Sequence, residues 1–210
     1  MKKGIIEGFY GIPWTFEERK SMINFLSDIG LNQYIYAPKD APNHNKKWRE
    51  AYPPEKISKI KDLADLSCEK NIEFTWAIHP GQNPFDFDNY DEEIEKIYDK
   101  YKALMEIGVR SFGLCMDDID KKIAFKRRVD HMNLIKDLAD FISAKTGNNL
   151  YFVHPWYNDD WIDEKGYEYE KLYEKSKTIK IQVLGEKGMD LIKVKTSELM
   201  DEIYRNLEIW

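Results

Sequence analysis

Cysteine is scarce in this sequence: two in 210 residues, Cys68 and Cys115, at no spacing that suits a metal or a disulfide framework. Both fall inside apolar patterns, which predicts reduced, buried thiols and a cytoplasmic setting. The four histidines are scattered, with no His-Glu-x-x-His or paired-His arrangement to suggest zinc. No stretch is long and apolar enough to span a bilayer. The opening "MKKGIIEGFYG" is interrupted at Glu7, too early for the apolar centre of a signal peptide. The expectation is a soluble protein with no membrane partner.

Excess positive charge is also missing. Lys and Arg number 32 against 38 Asp and Glu, a formal charge of -6, so no global field draws the chain to nucleic acid. The basic clusters "NHNKKWR" and "FKRRVDH" have acids close by and read as solvated faces. No Gly-x-Gly-x-x-Gly or Walker-type loop follows any strand-like run, which counts against a nucleotide-binding doubly wound sheet.

What is present is a repeated switch between periods. Strand-like runs are "GIIEGFYG", "QYIYAP", "EFTWAIHP", "SFGLCMDD", "LYFVHPWY", "IKIQVLG" and "LEIW". Between them lie helical windows: Met22, Ile23, Leu26 and Ile29; Ile57, Ile60, Leu63, Ala64 and Cys68; Ile94, Ile97, Tyr98, Tyr101, Leu104 and Met105; Val129, Met132, Ile135, Leu138, Ala139 and Ile142. Weaker windows follow around Leu172 and from Leu199 to Ile203. Thr15 with Glu18 forms a capping box, and Asp91 is a candidate N-cap. Strand and helix alternate with short connections, which predicts one α/β domain over residues 1–210, doubly wound or a (β/α) barrel. The residues that look chemical (Tyr10, Lys39, His79, Asp117, Asp118, Tyr157) fall at strand C-terminal ends, the active-site rim of a barrel. About seven strands and six helices are expected. A full barrel has eight of each, so the last βα units are expected to be missing.

"GLCMDDID" places two adjacent aspartates directly after an apolar run. Side chains alternate faces within a strand, so Asp117 and Asp118 can address one ligand only where the strand is ending and the chain turns. The bland reading makes one a helix cap and the other a partner for Lys or Arg. Spacing alone leaves both readings open. A metal site built from Asp117, Asp118 and Asp120 with His79 or His154 is the weaker rival. "YNDDWIDE" is a useful contrast, since Asp159 and Asp160 lack a preceding apolar run and read as solvent-facing.

The chemical reading rests on charge. Two close carboxylates cannot both ionise freely, so one should carry a raised pKa. An acid beside an ionised partner suits glycosidic cleavage. Neighbours on one strand end approach from the same side, however, which fits substrate-assisted cleavage better than two facing carboxylates. In "EGFYG", Gly8 is either a packing glycine or a point of close ligand approach, and Tyr10 is either core or rim. Lys39 follows the second strand. Trp48, Trp76 and Trp156 are candidate sugar platforms, although such aromatics are more often core.

"IIEGFYGIPWTFEER", "YIYAPKDAPNHNKKWREAYP", "FTWAIHPG" and "GVRSFGLCMDDID" together closely resemble glycoside hydrolase family 84, the β-N-acetylglucosaminidases that include protein O-GlcNAcases and bacterial hyaluronidase-like enzymes. The resemblance is dense from Gly4 to about Asp120. It implies a (β/α)8 TIM-barrel fold and retaining, substrate-assisted hydrolysis of terminal β-linked GlcNAc through an oxazoline, with no metal or other cofactor. By position Asp117 resembles the residue that holds the acetamide N–H, and Asp118 the general acid/base. Gly8, Tyr10 and Lys39 match substrate-binding positions, and Tyr157 in "HPWYN" corresponds to the tyrosine near the acetamide. The partner implied is a GlcNAc-bearing glycan or glycoprotein. The chain departs from the family where Val183 to Gly185 replace Trp-Thr-Gly, and it ends at Trp210. An alternative expectation is therefore a truncated N-acetylhexosamine-binding barrel with little or no activity, able to self-associate through open barrel edges.

Overall fold

In a computed structural model of the protein, the structure describes residues 2–81, 83–157, 162–174 and 181–184. The elements are β1 (Gly4–Glu7), α1 (Phe16–Asp28), β2 (Gln33–Tyr36), α2 (Pro54–Glu69), β3 (Glu73–Ile78), α3 (Tyr90–Glu106), β4 (Ser111–Cys115), α4 (Lys121–Lys126), α5 (Arg128–Thr146), β5 (Leu150–Val153), α6 (Glu164–Glu174) and β6 (Ile181–Leu184). Two short 3-10 turns lie at Pro42–His44 and Phe87–Asn89.

The sheet runs β1-β2-β3-β4-β5-β6, and every neighbouring pair is parallel. A doubly wound sheet reverses its order at a switch point, whereas a barrel keeps chain order. This fold is the barrel type, with six strands among the described residues. The expected seventh strand at "LEIW" and the helix around Leu199 to Ile203 lie outside the described residues, as do Asp159 and Asp160.

Register separates the two faces. Outward residues Tyr34, Tyr36, Phe74, Trp76, Phe112, Leu114 and Phe152 pack under the helices with Ile23, Leu26, Ile60, Leu63, Ile97 and Leu138. The inner face carries Gln33, Ile35, Glu73, Thr75, Ala77, Ser111, Gly113, Cys115, Tyr151 and Val153 in matching register. Its middle is narrow and apolar, with Ile35, Ala37, Ala77, Cys115 and Val153 in contact. A Cβ on Gly113 would come within 2.9 Å of the Ala77 Cβ, so only glycine fits there. Below this layer Gln33, Ser111 and Tyr151 all donate to Oε1 of the half-buried Glu73 carboxylate.

Several local expectations need correction. Cys115 is buried but Cys68 is exposed, because the inward stripe of α2 is Ile60, Leu63 and Ser67. Asp91 lies in the first turn of α3, and Asn89 occupies its N-cap position. "NHNKKWR" is not a solvated face: Asn43, His44, Asn45 and Trp48 are buried. Trp48, Trp76 and Trp156 are all fully buried core residues, leaving none of them as a sugar platform. No helix among the described residues is long and apolar enough to cross a membrane.

Candidate active site

The inner-face alternation continues past the strand ends, and there it becomes polar. From Ala37 the next inward position is Lys39, from Ala77 it is His79, and from Cys115 it is Asp117. The same phase carries β1 through Gly8 to Tyr10 and β5 to Tyr157. His154 is out of phase: it accepts the Trp156 backbone N–H behind the strand, at 2.8 Å.

These residues meet around one ammonium. Lys39, 2% exposed, donates to Asp117 and, at 3.0 Å, to Asp118 Oδ2. The Tyr10 hydroxyl donates to Asp118 Oδ2 at 3.1 Å, and the Tyr157 hydroxyl reaches Asp118 Oδ1 at 3.5 Å. Tyr10 is 47% exposed and is no core tyrosine. Gly8 has no packing reason to be glycine, since an added Cβ would meet only the Ile6 side chain, at 3.4 Å or more.

Asp118 would face away from the site if the strand simply continued. It does not, because its φ is +60°, in the left-handed region. Asp tolerates this conformation better than most residues, though at a cost. The reversal turns both carboxylates to the same side. Asp120 follows a different course. Its Oδ1 accepts the backbone N–H groups of Lys122 and Ile123, at 2.8 and 3.1 Å, and caps α4. The helix-cap reading therefore belongs to Asp120, while Asp117 and Asp118 share Lys39.

The electrostatics differ from the expectation of a raised pKa. Burial works to raise the Asp118 pKa, but the Lys39 hydrogen bond and charge and the Tyr10 hydroxyl outweigh it, so the carboxyl is held below its ordinary range. Burial likewise opposes a charged Lys39, yet Asp117 beside it keeps the ammonium protonated. The interposed cation cancels the repulsion between the two acids. One acceptor stays unused: Asp117 Oδ1 is buried without a hydrogen-bond partner, and His79 Nε2 lies 3.6 Å away.

Three supporting residues escaped the sequence reading. Asp40 accepts the Gly11 backbone N–H and so ties the Tyr10 loop to the Lys39 loop. The Asn45 amide donates to the Lys39 carbonyl at 2.8 Å. His44 donates from Nδ1 to the Ala77 carbonyl at 2.8 Å, which makes Nε2 the acceptor of the Tyr52 hydroxyl at 2.6 Å. Tyr52 in turn accepts from Trp76 Nε1 at 3.2 Å. Burial pushes His44 well below its ordinary pKa, in keeping with a neutral ring. The available signal was position: "APNHN" lies in the loop that leaves the C-terminal end of β2, where a barrel builds its rim.

Comparison with known proteins agrees with this arrangement. A family model described as beta-N-acetylglucosaminidase matches residues 3–210. Protein O-GlcNAcases of Rattus norvegicus and Mus musculus are each 41% identical over 117 residues, 56% of this chain. That alignment spans 13% of each relative's own length. The solved structure of CpGH84D superposes with a TM-score of 0.74 at 33% identity, over 87% of this chain and 30% of that one. CpGH84B gives 0.76 at 31% identity, over 87% and 32%. A mutant of the Thermobaculum terrenum O-GlcNAc hydrolase gives 0.73 at 28% identity, over 87% and 40%. With the family model covering almost the whole sequence, the chain belongs to the beta-N-acetylglucosaminidases of glycoside hydrolase family 84.

Proposed function

We propose that residues 1–210 act as one catalytic unit that hydrolyses terminal β-linked N-acetylglucosamine, with retention of configuration and with help from the substrate's own acetamide. The observation that carries this reading is the unused Asp117 Oδ1. A buried carboxylate oxygen lacking a donor is costly, and a substrate N–H would satisfy it. In this reading Asp117 accepts the acetamide N–H and aims the acetamide oxygen at the anomeric carbon. That oxygen forms the new C–O bond as the glycosidic C–O bond breaks, giving a protonated oxazoline (an oxazolinium ion) whose N–H stays hydrogen-bonded to the Asp117 carboxylate. Asp118 delivers its proton to the departing oxygen, then takes one from the water that opens the oxazoline.

Burial is outweighed at Asp118 by Lys39 and Tyr10, which hold its carboxyl below the ordinary range, so to act as the acid it must gain its proton as substrate binds. A sugar seated over Gly8 removes water from Asp118, and desolvation acts in that direction. The Asp117 carboxylate, paired with Lys39, then faces the developing positive charge of the acetamide. A single well-placed electrostatic contact of this kind is worth about 3 kcal/mol in a transition state.

The test is hydrolysis of aryl N-acetylglucosaminides by the wild type and two variants. Asp118→Asn is expected to lose turnover of substrates with poor leaving groups while largely sparing activated ones. Asp117→Ala is expected to impair both. Equal losses on both substrates in both variants would overturn the role assignments. A wild type that shows no turnover but binds GlcNAc calorimetrically would favour an N-acetylhexosamine-binding barrel instead.

A further inference from the structure

His79 is buried beside the two aspartates and takes no part in the chemistry just proposed. Its Nε2 lies 2.8 Å from the backbone carbonyl of Asp117. A carbonyl only accepts, so Nε2 carries the proton, and Nδ1 is then bare in a neutral ring. Nδ1 is indeed buried with no hydrogen-bond partner. Burial, then the Lys39 charge, hold the ring below its ordinary pKa and so neutral. The ring is also clamped from one side. A Cβ on Gly81 would fall 2.8 Å from His79 Cε1 and 2.9 Å from Ile119 Cγ2, so glycine there lets the chain close over the imidazole.

The Asp117 carbonyl belongs to the peptide plane whose far end sets φ of Asp118. At +60° that residue is in a conformation that L side chains disfavour. Rotating Asp118 about its N–Cα bond back to ordinary negative φ, with ψ of Asp117 unchanged, would carry its carboxylate away from Lys39, Tyr10 and Tyr157. Turning the peptide plane itself over would leave the side chain nearly in place but face the Asp118 N–H toward His79 Nε2–H, donor against donor. We propose that His79 is a positioning residue that locks the Asp117–Asp118 peptide in its strained orientation, keeping the acid/base on the same side as the acetamide-orienting carboxylate. The inference deepens the hydrolase reading above and rests on it.

The test compares His79→Phe, which keeps a ring without a donor, with His79→Gln, which keeps an amide donor. In His79→Phe, kcat on a poor-leaving-group N-acetylglucosaminide is expected to fall on the order of a hundredfold, the scale of general acid catalysis. KM and turnover of an activated aryl substrate should change little, and His79→Gln should recover most of the loss. Equal losses on both substrates, or an equal fall in His79→Gln, would mark a merely structural residue and overturn the proposal. A second readout needs no turnover: carboxyl carbon NMR of Asp118 against pH. Its titration should lie below the ordinary range in wild type and His79→Gln, and should return toward that range in His79→Phe. An unmoved Asp118 titration in His79→Phe overturns the positioning role even if the protein proves inactive, so the two readings fail separately. Should His79→Phe not fold, His79→Gln decides alone: an Asp118 that reverts to ordinary titration defeats the proposal, and one that stays low supports it.

Discussion

Lys39 places one positive charge between two adjacent carboxylates, and that single contact sets how the pair behaves. Adjacent acids alone would push one pKa up, whereas here Asp118 is held down. Replacing the cation should reverse the sign. In Lys39→Met the Asp118 carboxyl loses its main stabilising partner, so the pH profile of kcat/KM is expected to move to higher pH by on the order of one unit. The maximum should also fall, because a donor to the site is gone. Hydrolysis of an aryl N-acetylglucosaminide from acid to mild alkali checks this, and an unmoved profile would contradict it. At this scale much of the site was legible, because Tyr10, Lys39, Asp117 and Tyr157 all continue the inward phase of a strand. The conformation of Asp118 was not. A period of two says which face a residue takes while the strand lasts, and nothing about the residue that breaks it. The Asp40 contact with the Gly11 N–H was equally invisible, since it joins two loops distant in sequence.

Elements show the same division between local and distant causes. The capping box at the start of α1 is present in full: Thr15 Oγ1 accepts the Glu18 N–H at 3.2 Å, and Glu18 Oε2 accepts the Thr15 N–H at 2.6 Å. Residues three apart can announce such a motif. Asp120 makes a comparable cap on the six-residue α4, just after Asp117 and Asp118. Asp120→Ala should cost about 1 kcal/mol of stability and lower turnover, since α4 anchors the chain leaving Asp118. Thermal melting with parallel activity assays tests this, and intact stability would show that α4 needs no cap. What fastens α1 to the sheet could not be read locally. Arg19 makes a two-pronged contact with Glu7 on β1, at 2.9 Å from Nε and 2.7 Å from Nη2, and both side chains are buried. Glu7 also accepts from the Tyr34 hydroxyl. Sequence marked Glu7 only as a break in an apolar run. Arg19→Met leaves a buried carboxylate unpaired and is expected to cost about 3–5 kcal/mol. The double variant Glu7→Leu/Arg19→Met should be milder than Arg19→Met alone, because the uncompensated charge is gone. Urea denaturation of both proteins decides it, and a double variant as damaged as the single would contradict the argument.

For the whole molecule, strand order equal to chain order identifies the barrel type, and alternating periodicity was enough to predict the layers. Less visible was how many polar side chains the fold takes inside. His44 holds the loop after β2, His79 lies at the end of β3, and His131 packs in α5 against Phe87 and Tyr169. All three are buried, and each is pushed below its ordinary pKa chiefly by that burial. Below pH 6.5 the unfolded chain binds protons at these sites that the folded protein refuses, so stability must fall as pH falls. For His131, lowered to about 4, the loss is complete only near that pH and amounts to about 3 kcal/mol. The carboxylates act in a lower window: Glu93, held near 2 by Arg49 against the opposing effect of burial, loses its contribution only as pH drops below its unfolded value of 4.5. Lys100, pushed down to about 7 by burial, is protonated before the histidine window opens. The melting temperature should therefore decline steadily from pH 6.5 to 4.5, before acid titration of Glu93 begins. In His131→Gln the decline should be shallower, whatever that variant's stability at neutral pH. A melting temperature that stays level across this interval would mean that the buried histidines take up protons without unfolding, and the neutral Tyr52–His44–Ala77 chain would have to be redrawn.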